Sequence, residues 1–165
     1  MDLLIKSIPF ILEDVHDLRV RIIGEGPERD KLMTLVRKLR LEKVVQFTGW
    51  LKQMELVKHF NEAAVFVCCS FYEGGPRAVF EAAACGTPFV STAVGIVPEV
   101  FQHGREGFII HQRNSKLFAE HLTALLKNPS LRHEMGLRAR EIVEKMFEWK
   151  TAVKRYATAY LEIFR

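Results

Sequence analysis

The chemistry this sequence could perform centres on two carboxylates and a pair of glycines. Glu73 stands in the cluster Tyr72-Glu73-Gly74-Gly75, Pro76 follows, and Glu81 comes next with seven residues between it and Glu73. Pro76 sits where a helix favours its proline, at the first helical position. Arg77 to Cys85 is rich in alanine and reads as that helix, with Gly86 ending it. Free backbone N–H groups near Arg77 and Ala78 would point out of the helix start, carrying about half an elementary charge of the helix dipole. Such an end suits a phosphate, and Gly74 and Gly75 let the backbone approach an anion closely. Carboxylates do not bind phosphate; they accept hydrogen bonds from hydroxyls. Phosphate donors with a carboxylate on either side suit a ligand that joins a diphosphate to sugars. The same spacing also suits a Glu73 that only complements the helix dipole and a Glu81 that is a solvated helix residue.

The elements that must position these groups lie on either side. Val65 to Cys69 is a short apolar run bounded like a buried strand, and Pro88 to Val90 is a second. Strand, glycine loop, helix and strand form the unit from which parallel sheets are built. Upstream, Asp2 to Leu12 reads as a helix kinked or weakened by Pro9. Leu18 to Gly24 reads as a strand, followed by Gly24-Glu25-Gly26-Pro27 and a helix from Pro27 to about Arg40. A dinucleotide fingerprint would need a glycine at position 29, where Arg29 stands, so a nicotinamide cofactor is disfavoured. Val44 to Phe47 is a strand, Thr48 to Leu51 its loop, and Gln53 to Asn61 a helix. Downstream come a short helix opened by Pro98 with Glu99 beside it, and a last strand from Gly107 to Ile110. A helix capped by Asn114 then runs to Lys127, and Asn128-Pro129 breaks it. Two further helices, about Ser130 to Lys145 and Lys150 to the end, complete the chain. The last carries Val153, Tyr156, Tyr160 and Phe164 at helical spacing, a stripe that reads as core-facing.

Composition narrows the function classes. With 165 residues, 48% hydrophobic and 27% charged, the chain is one domain long, residues 1–165, with enough length for a sizeable core. A net charge of +4, scattered and without an aromatic–basic repeat, fits an anionic ligand and argues against nucleic acid. Cys68, Cys69 and Cys85 have no metal-ligand spacing and read as reduced thiols of a cytoplasmic protein. The six histidines form no cluster in the sequence and read as surface or packing residues. The four aspartates include no Asp-x-Asp pair, so no metal site is expected. No apolar run reaches membrane-spanning length.

The central stretch, EGGPRAVFEA followed by CGTP, resembles the donor-binding segment of retaining GT-B glycosyltransferases, the group that includes sucrose synthases and bacterial mannosyltransferases. Their signature reads Glu-Gly-x-Pro, four residues, Glu-Ala, then Gly-x-Pro. The resemblance covers nearly the whole chain as the C-terminal, donor-binding domain of a group 1, glycogen-synthase-like enzyme. It implies an α/β fold, a doubly wound Rossmann-like parallel sheet with C-terminal helices. It further implies that Glu73 contacts the donor sugar in the reactive geometry and that Glu81 accepts hydrogen bonds from the ribose. Gly74, Gly75, Pro76, Arg77 and Ala78 would form the donor-binding turn, with the main-chain N–H groups between Gly75 and Ala78, Pro76 having none, facing the diphosphate. Gly24 and Gly26 match the family's Gly-x-Gly-Pro loop. Leu51 belongs to the loop lying against the base, where Trp50 could cover it. At Gly95-Ile96 the family usually has two glycines, which puts close backbone approach there in question.

The resemblance also implies what should lie elsewhere. The donor is a UDP- or GDP-sugar, with no cofactor and no metal. The acceptor binds a separate N-terminal domain, through which alone a membrane association would arise. The family's first strand, with the basic residues that neutralise the diphosphate, is expected just upstream of Asp2. That strand is central in the sheet, so without it two neighbouring strands would have unpaired edges. The alternative reading is a non-catalytic nucleotide- or protein-binding module derived from such a domain. A sugar-nucleotide epimerase of similar architecture lacks specific support.

Overall fold

The computed structural model describes residues 1–164. Helix α1 (Asp2–Leu12) is followed by β1 (Val20–Ile23), α2 (Arg29–Lys38), β2 (Val45–Gly49) and α3 (Gln53–Glu62). Then come β3 (Phe66–Cys68), α4 (Arg77–Ala84), β4 (Phe89–Thr92), α5 (Val97–Val100) and β5 (Phe108–Ile110). Three helices close the chain, α6 (Ser115–Lys127), α7 (Pro129–Phe147) and α8 (Trp149–Ile163). Arg165, the end of the expected final helix, lies outside the described residues.

Every ladder is parallel, β1 with β2 and β3 with β4 with β5, as strand–helix–strand crossovers require. β4 sits between two partners, and all four of its residues are buried, which fits its continuous run Phe-Val-Ser-Thr. Helices cover both faces of this three-stranded sheet. On one face Leu4 and Ile11 of α1 and Phe118 and Leu122 of α6 pack over Val90 and Ile110. On the other, Val79 and Ala83 of α4, Val97 of α5 and Ala139 of α7 pack over Phe89 and Ile109. This is the doubly wound α/β arrangement the sequence predicts.

The parallel strands do not form one continuous sheet. β1 and β3 each have a single neighbour, and between them lies a slot of about 560 Å³. Its walls are largely apolar, with Leu4, Ile11, Val20, Ile22, Val65, Val67, Leu122 and Leu126 among them. The two unpaired edges expected from the sequence are therefore present. Helix α1 spans the division: Leu3, Leu4 and Ile11 enter the core over β3–β5, whereas Ile5 and Ile8 pack with Ile22, Val36 and Val45 beside β1–β2. Arg21 of β1 also reaches α3, donating to Glu62 Oε2 at 3.3 Å and lying 3.1 Å from His59 Nδ1.

Several boundaries differ from expectation for local reasons. Pro76 is the N-cap of α4 rather than its first helical residue, because its ψ of 79° is not helical. Residues 27–28 form a turn, so α2 starts at Arg29. Thr48 and Gly49 continue β2 instead of starting its loop, since Gly49 still faces Ile23 across the ladder. Pro9 lies within an unbroken α1. Asn128 is at once the C-cap of α6 and the N-cap of α7, its side chain accepting from the Leu131 N–H, so the break is a single residue. The α8 stripe does not face the core: Tyr156, Tyr160 and Phe164 are 71%, 63% and 81% exposed, and no α8 residue is buried. Two histidines do come together, the rings of His103 and His121 meeting edge to face at 5.2 Å beside Phe108. Among the described residues, no helix is long and apolar enough to cross a membrane.

Candidate functional site

The loops that leave the carboxyl ends of the strands share one edge of a parallel α/β sheet, the place where such folds bind ligands. The first of them is shaped by Gly24, whose φ of 115° only glycine adopts readily. Its N–H donates to the Gly49 carbonyl at 2.8 Å, which sets the Gly24–Gly26 loop beside the end of β2. Leu51 is half-buried in the loop that follows, and Trp50 is exposed. Lys52 then caps α3, its N–H bonded to Glu55 Oε2 at 2.8 Å.

Gln53, the first residue of α3, joins this group to α4. Its Nε2 donates to Glu81 Oε1 at 3.1 Å, and Arg77 Nε donates to the same oxygen at 2.9 Å. Glu81 is thereby held with its side chain mostly covered, while Arg77 remains open to solvent. The Arg77 and Ala78 N–H groups open α4 with no intrahelical partner, and Val79 N–H makes the first bond back, to the Pro76 carbonyl at 2.9 Å. Burial pushes the thiol of Cys85, near Glu81 and Arg140, above its ordinary range, so it stays protonated and is no nucleophile at neutral pH.

Glu73 is fixed from the strand side. Ser70 Oγ donates to Glu73 Oε1 at 2.8 Å, and the Ser70 carbonyl accepts from Thr92 Oγ1 at 2.8 Å. The loop after β4 backs against the same segment. A Cβ on Gly95 would lie 2.6 Å from the Gly74 oxygen and 2.8 Å from the Glu73 oxygen. The close approach is therefore made at Gly95, and Ile96, with φ of −82°, needs no glycine to serve as the N-cap of α5. Between the two loops lies a recess of about 350 Å³, lined by Phe71, Tyr72, Glu73, Gly74, Gly95, Ile96 and Glu99 among others. It presents two carboxylates and no basic side chain.

The expected residues thus fall into three adjoining groups rather than one pocket. Gly24, Gly26 and Leu51 sit at the ends of β1 and β2. Glu73 and Gly74 line the recess. Gly75, Pro76, Arg77, Ala78 and Glu81 form the entry to α4 and its first turns, Gly75, Arg77 and Ala78 exposed, Glu81 half-buried and Pro76 buried. Gln53, Ser70, Thr92, Glu99 and Arg113 are the parts the sequence reading gave no role. Glu99 could have been found from its place beside Pro98 after a strand end. Gln53 and Ser70 carry no comparable local signal.

Residues 1–142 match the family described as glycosyl transferases group 1. N-acetyl-alpha-D-glucosaminyl L-malate synthase of Bacillus anthracis is 34% identical over 149 residues, 90% of this chain and 39% of that enzyme. The chain likewise spans well under half the length of other curated relatives it matches. HepE of Anabaena, solved in complex with UDP and glucose, has the same fold with a TM-score of 0.88 at 20% identity, over 98% of this chain and 44% of that one. So does the C-terminal domain of the glycosyl transferase group 1 family protein LpcC from Francisella tularensis, with a TM-score of 0.80 at 23% identity over 89% of this chain and 78% of that one. With its parallel sheets, the loops at their carboxyl edge and a family match over most of its length, the chain belongs to the glycosyl transferases of group 1.

Proposed function

We propose that this chain binds a nucleotide-diphosphate sugar, a UDP- or GDP-sugar, for retaining glycosyl transfer to an acceptor held on a second domain. The carrying observation is the succession along one sheet edge of a carboxylate-lined recess, a helix start with free N–H groups, and an anchored second carboxylate. The sugar enters the recess, where Glu73 accepts from its hydroxyls and holds it in the reactive geometry. The diphosphate lies against Gly75 to Ala78, where the N–H groups of Gly75, Arg77 and Ala78 stabilise charge that grows as the nucleotide leaves. Glu81 accepts from the ribose hydroxyls, already oriented by Gln53 and Arg77. The Gly24–Gly26 and Leu51 loops border the base. The start of α4 brings partial positive charge to the leaving group, beside the basic residues that the family resemblance expects upstream of Asp2, and the proposed reaction uses no metal or other cofactor. The solved complex of HepE with UDP and glucose supports a donor of this class. The unpaired Cys68, Cys69 and Cys85 fit a reducing, cytoplasmic setting.

Calorimetric titration of the chain with UDP, GDP and their glucose, N-acetylglucosamine and mannose conjugates tests this reading. Glu81→Ala is expected to weaken free nucleotide and nucleotide sugar alike, by about tenfold, since it removes a charge-assisted acceptor. Glu73→Ala is expected to spare the free nucleotide and remove the preference for the sugar-bearing form. Equal loss for both ligands in Glu73→Ala contradicts the division of roles. No binding at millimolar ligand by the folded chain contradicts the donor site itself. The recess, with two carboxylates and no cation, is also expected to reject UDP-glucuronate relative to UDP-glucose, and the reverse preference would place the sugar elsewhere.

A further inference from the structure

Arg113 stands in the segment between β5 and α6, one residue before the Asn114 cap, and no step of donor binding described above uses it. Its side chain is about three-quarters covered, and its guanidinium makes contacts in three directions. Nη1 donates to the Cys69 carbonyl at 2.8 Å and lies 3.3 Å from the Ser70 carbonyl. Nη2 donates to Asp2 Oδ1 of α1 at 3.1 Å. The plane of the group lies over the Phe71 ring, 3.6 Å from its centroid. Three consecutive residues at the exit of β3 are therefore held by one side chain. Two residues further on, Glu73 is reached from the same segment through Ser70 Oγ.

We infer that Arg113 is a positioning residue that aims Glu73 into the recess and so sets discrimination for the donor sugar. The inference rests on the donor-binding reading above. A strand ends at Cys68, and nothing in the ladder fixes the chain beyond it. The backbone from Cys69 to Phe71 carries Ser70, whose hydroxyl holds Glu73 and whose carbonyl is pinned by Thr92. Thr92 fixes one point of this segment. Arg113 supplies the others, two carbonyls and the aromatic wall of the recess, and ties them through Asp2 to α1. A planar fork with several donors can do this at once; a lysine ammonium offers a single point of charge. Because the group bonds to the Cys69 and Ser70 carbonyls and Asp2 and makes no hydrogen bond to Glu73, its effect is transmitted through the loop. It acts on the sugar end of the site and leaves the Glu81 end alone.

The test uses Arg113→Lys, which keeps the charge beside Asp2, and Arg113→Met, which keeps much of the packing stem. Amide hydrogen exchange of residues 70–75 is measured without ligand, and UDP, GDP and their sugar conjugates are titrated against each variant. Expected is faster exchange confined to residues 70–75, with α4 and β4 protected as in the parent chain. The preference for nucleotide sugar over nucleotide falls by about tenfold while free-nucleotide affinity stays within about twofold. Unchanged exchange in both variants overturns the inference. Faster exchange with undiminished sugar preference overturns it as well, leaving Arg113 a purely structural residue. A parent chain that binds no nucleotide at all overturns the donor reading instead, and that result appears before any Arg113 variant is made.

Discussion

A carbonyl oxygen decides what residue 95 can be. Because Gly95 packs against the Glu73 and Gly74 oxygens at a φ of 51°, Gly95→Ala must push the Glu73 loop outward or strain its own backbone. The expected outcome is a loss of sugar-nucleotide preference like that of Glu73→Ala, with stability lowered by about 1–3 kcal/mol, read by titration and denaturant unfolding. A second residue-scale prediction concerns acid. Burial and the neighbouring His103 hold the His121 imidazole below the ordinary histidine range, against a smaller pull from Glu120. The unfolded chain then binds the proton more readily, so stability is full above the ordinary histidine value and is lost as pH falls through it. The unfolding midpoint is expected to drop from about pH 7 to about pH 5, and His121→Gln to flatten that dependence. At this scale the sequence was informative where partners are local. Glu73, Glu81 and the helix start between them are spaced by one turn and one short helix. Arg113 was silent because its partners lie 44 and 111 positions away, and Gln53 because Glu81 lies 28 away.

Among elements, α7 and α8 are consecutive helices that differ in what they meet, α7 packing on the core and α8 burying none of its residues. Gly136, midway along α7, lies so close to the turn after α4 that an added Cβ would come within 2.0 Å of the Gly86 oxygen. Gly136→Ala is expected to cost about 2 kcal/mol or more and to lower Tm by roughly 5 °C in a thermal melt. Cutting the chain after Phe147 removes α8, none of whose residues is buried, and is expected to lower Tm by about 2 °C or less. A drop comparable to that of Gly136→Ala would show that α8 contributes to the core. The spacing of Val153, Tyr156, Tyr160 and Phe164 marks one face of a helix correctly. It carries no information on what that face meets, which is why the core reading failed. Helix ends were legible where a side chain caps them, as at Asn114, and shifted by one or two residues where backbone angles alone decide, as at Pro76 and Glu28.

For the molecule as a whole, alternating short apolar runs and helices sufficed to predict parallel strands, while the doubly wound arrangement was what the family resemblance implied. The division into two sheets is a long-range property, and α1 bridges it by turning Ile5 and Ile8 one way and Leu4 and Ile11 the other. The slot between the sheets has a consequence for solution behaviour. Each bordering strand offers a row of amides and carbonyls without ladder partners, and such a row templates a neighbouring molecule as readily as a strand of its own. Self-association is thus expected to rise with protein concentration in sedimentation velocity, and Arg21, a charge on the bordering strand, acts as a gatekeeper against it. Arg21→Val is expected to shift the onset to lower concentration, whereas unchanged sedimentation would show that the edges are screened. The same opening that divides the sheet leaves Arg21, paired with Glu62, as a charge standing at the border of the exposed edge.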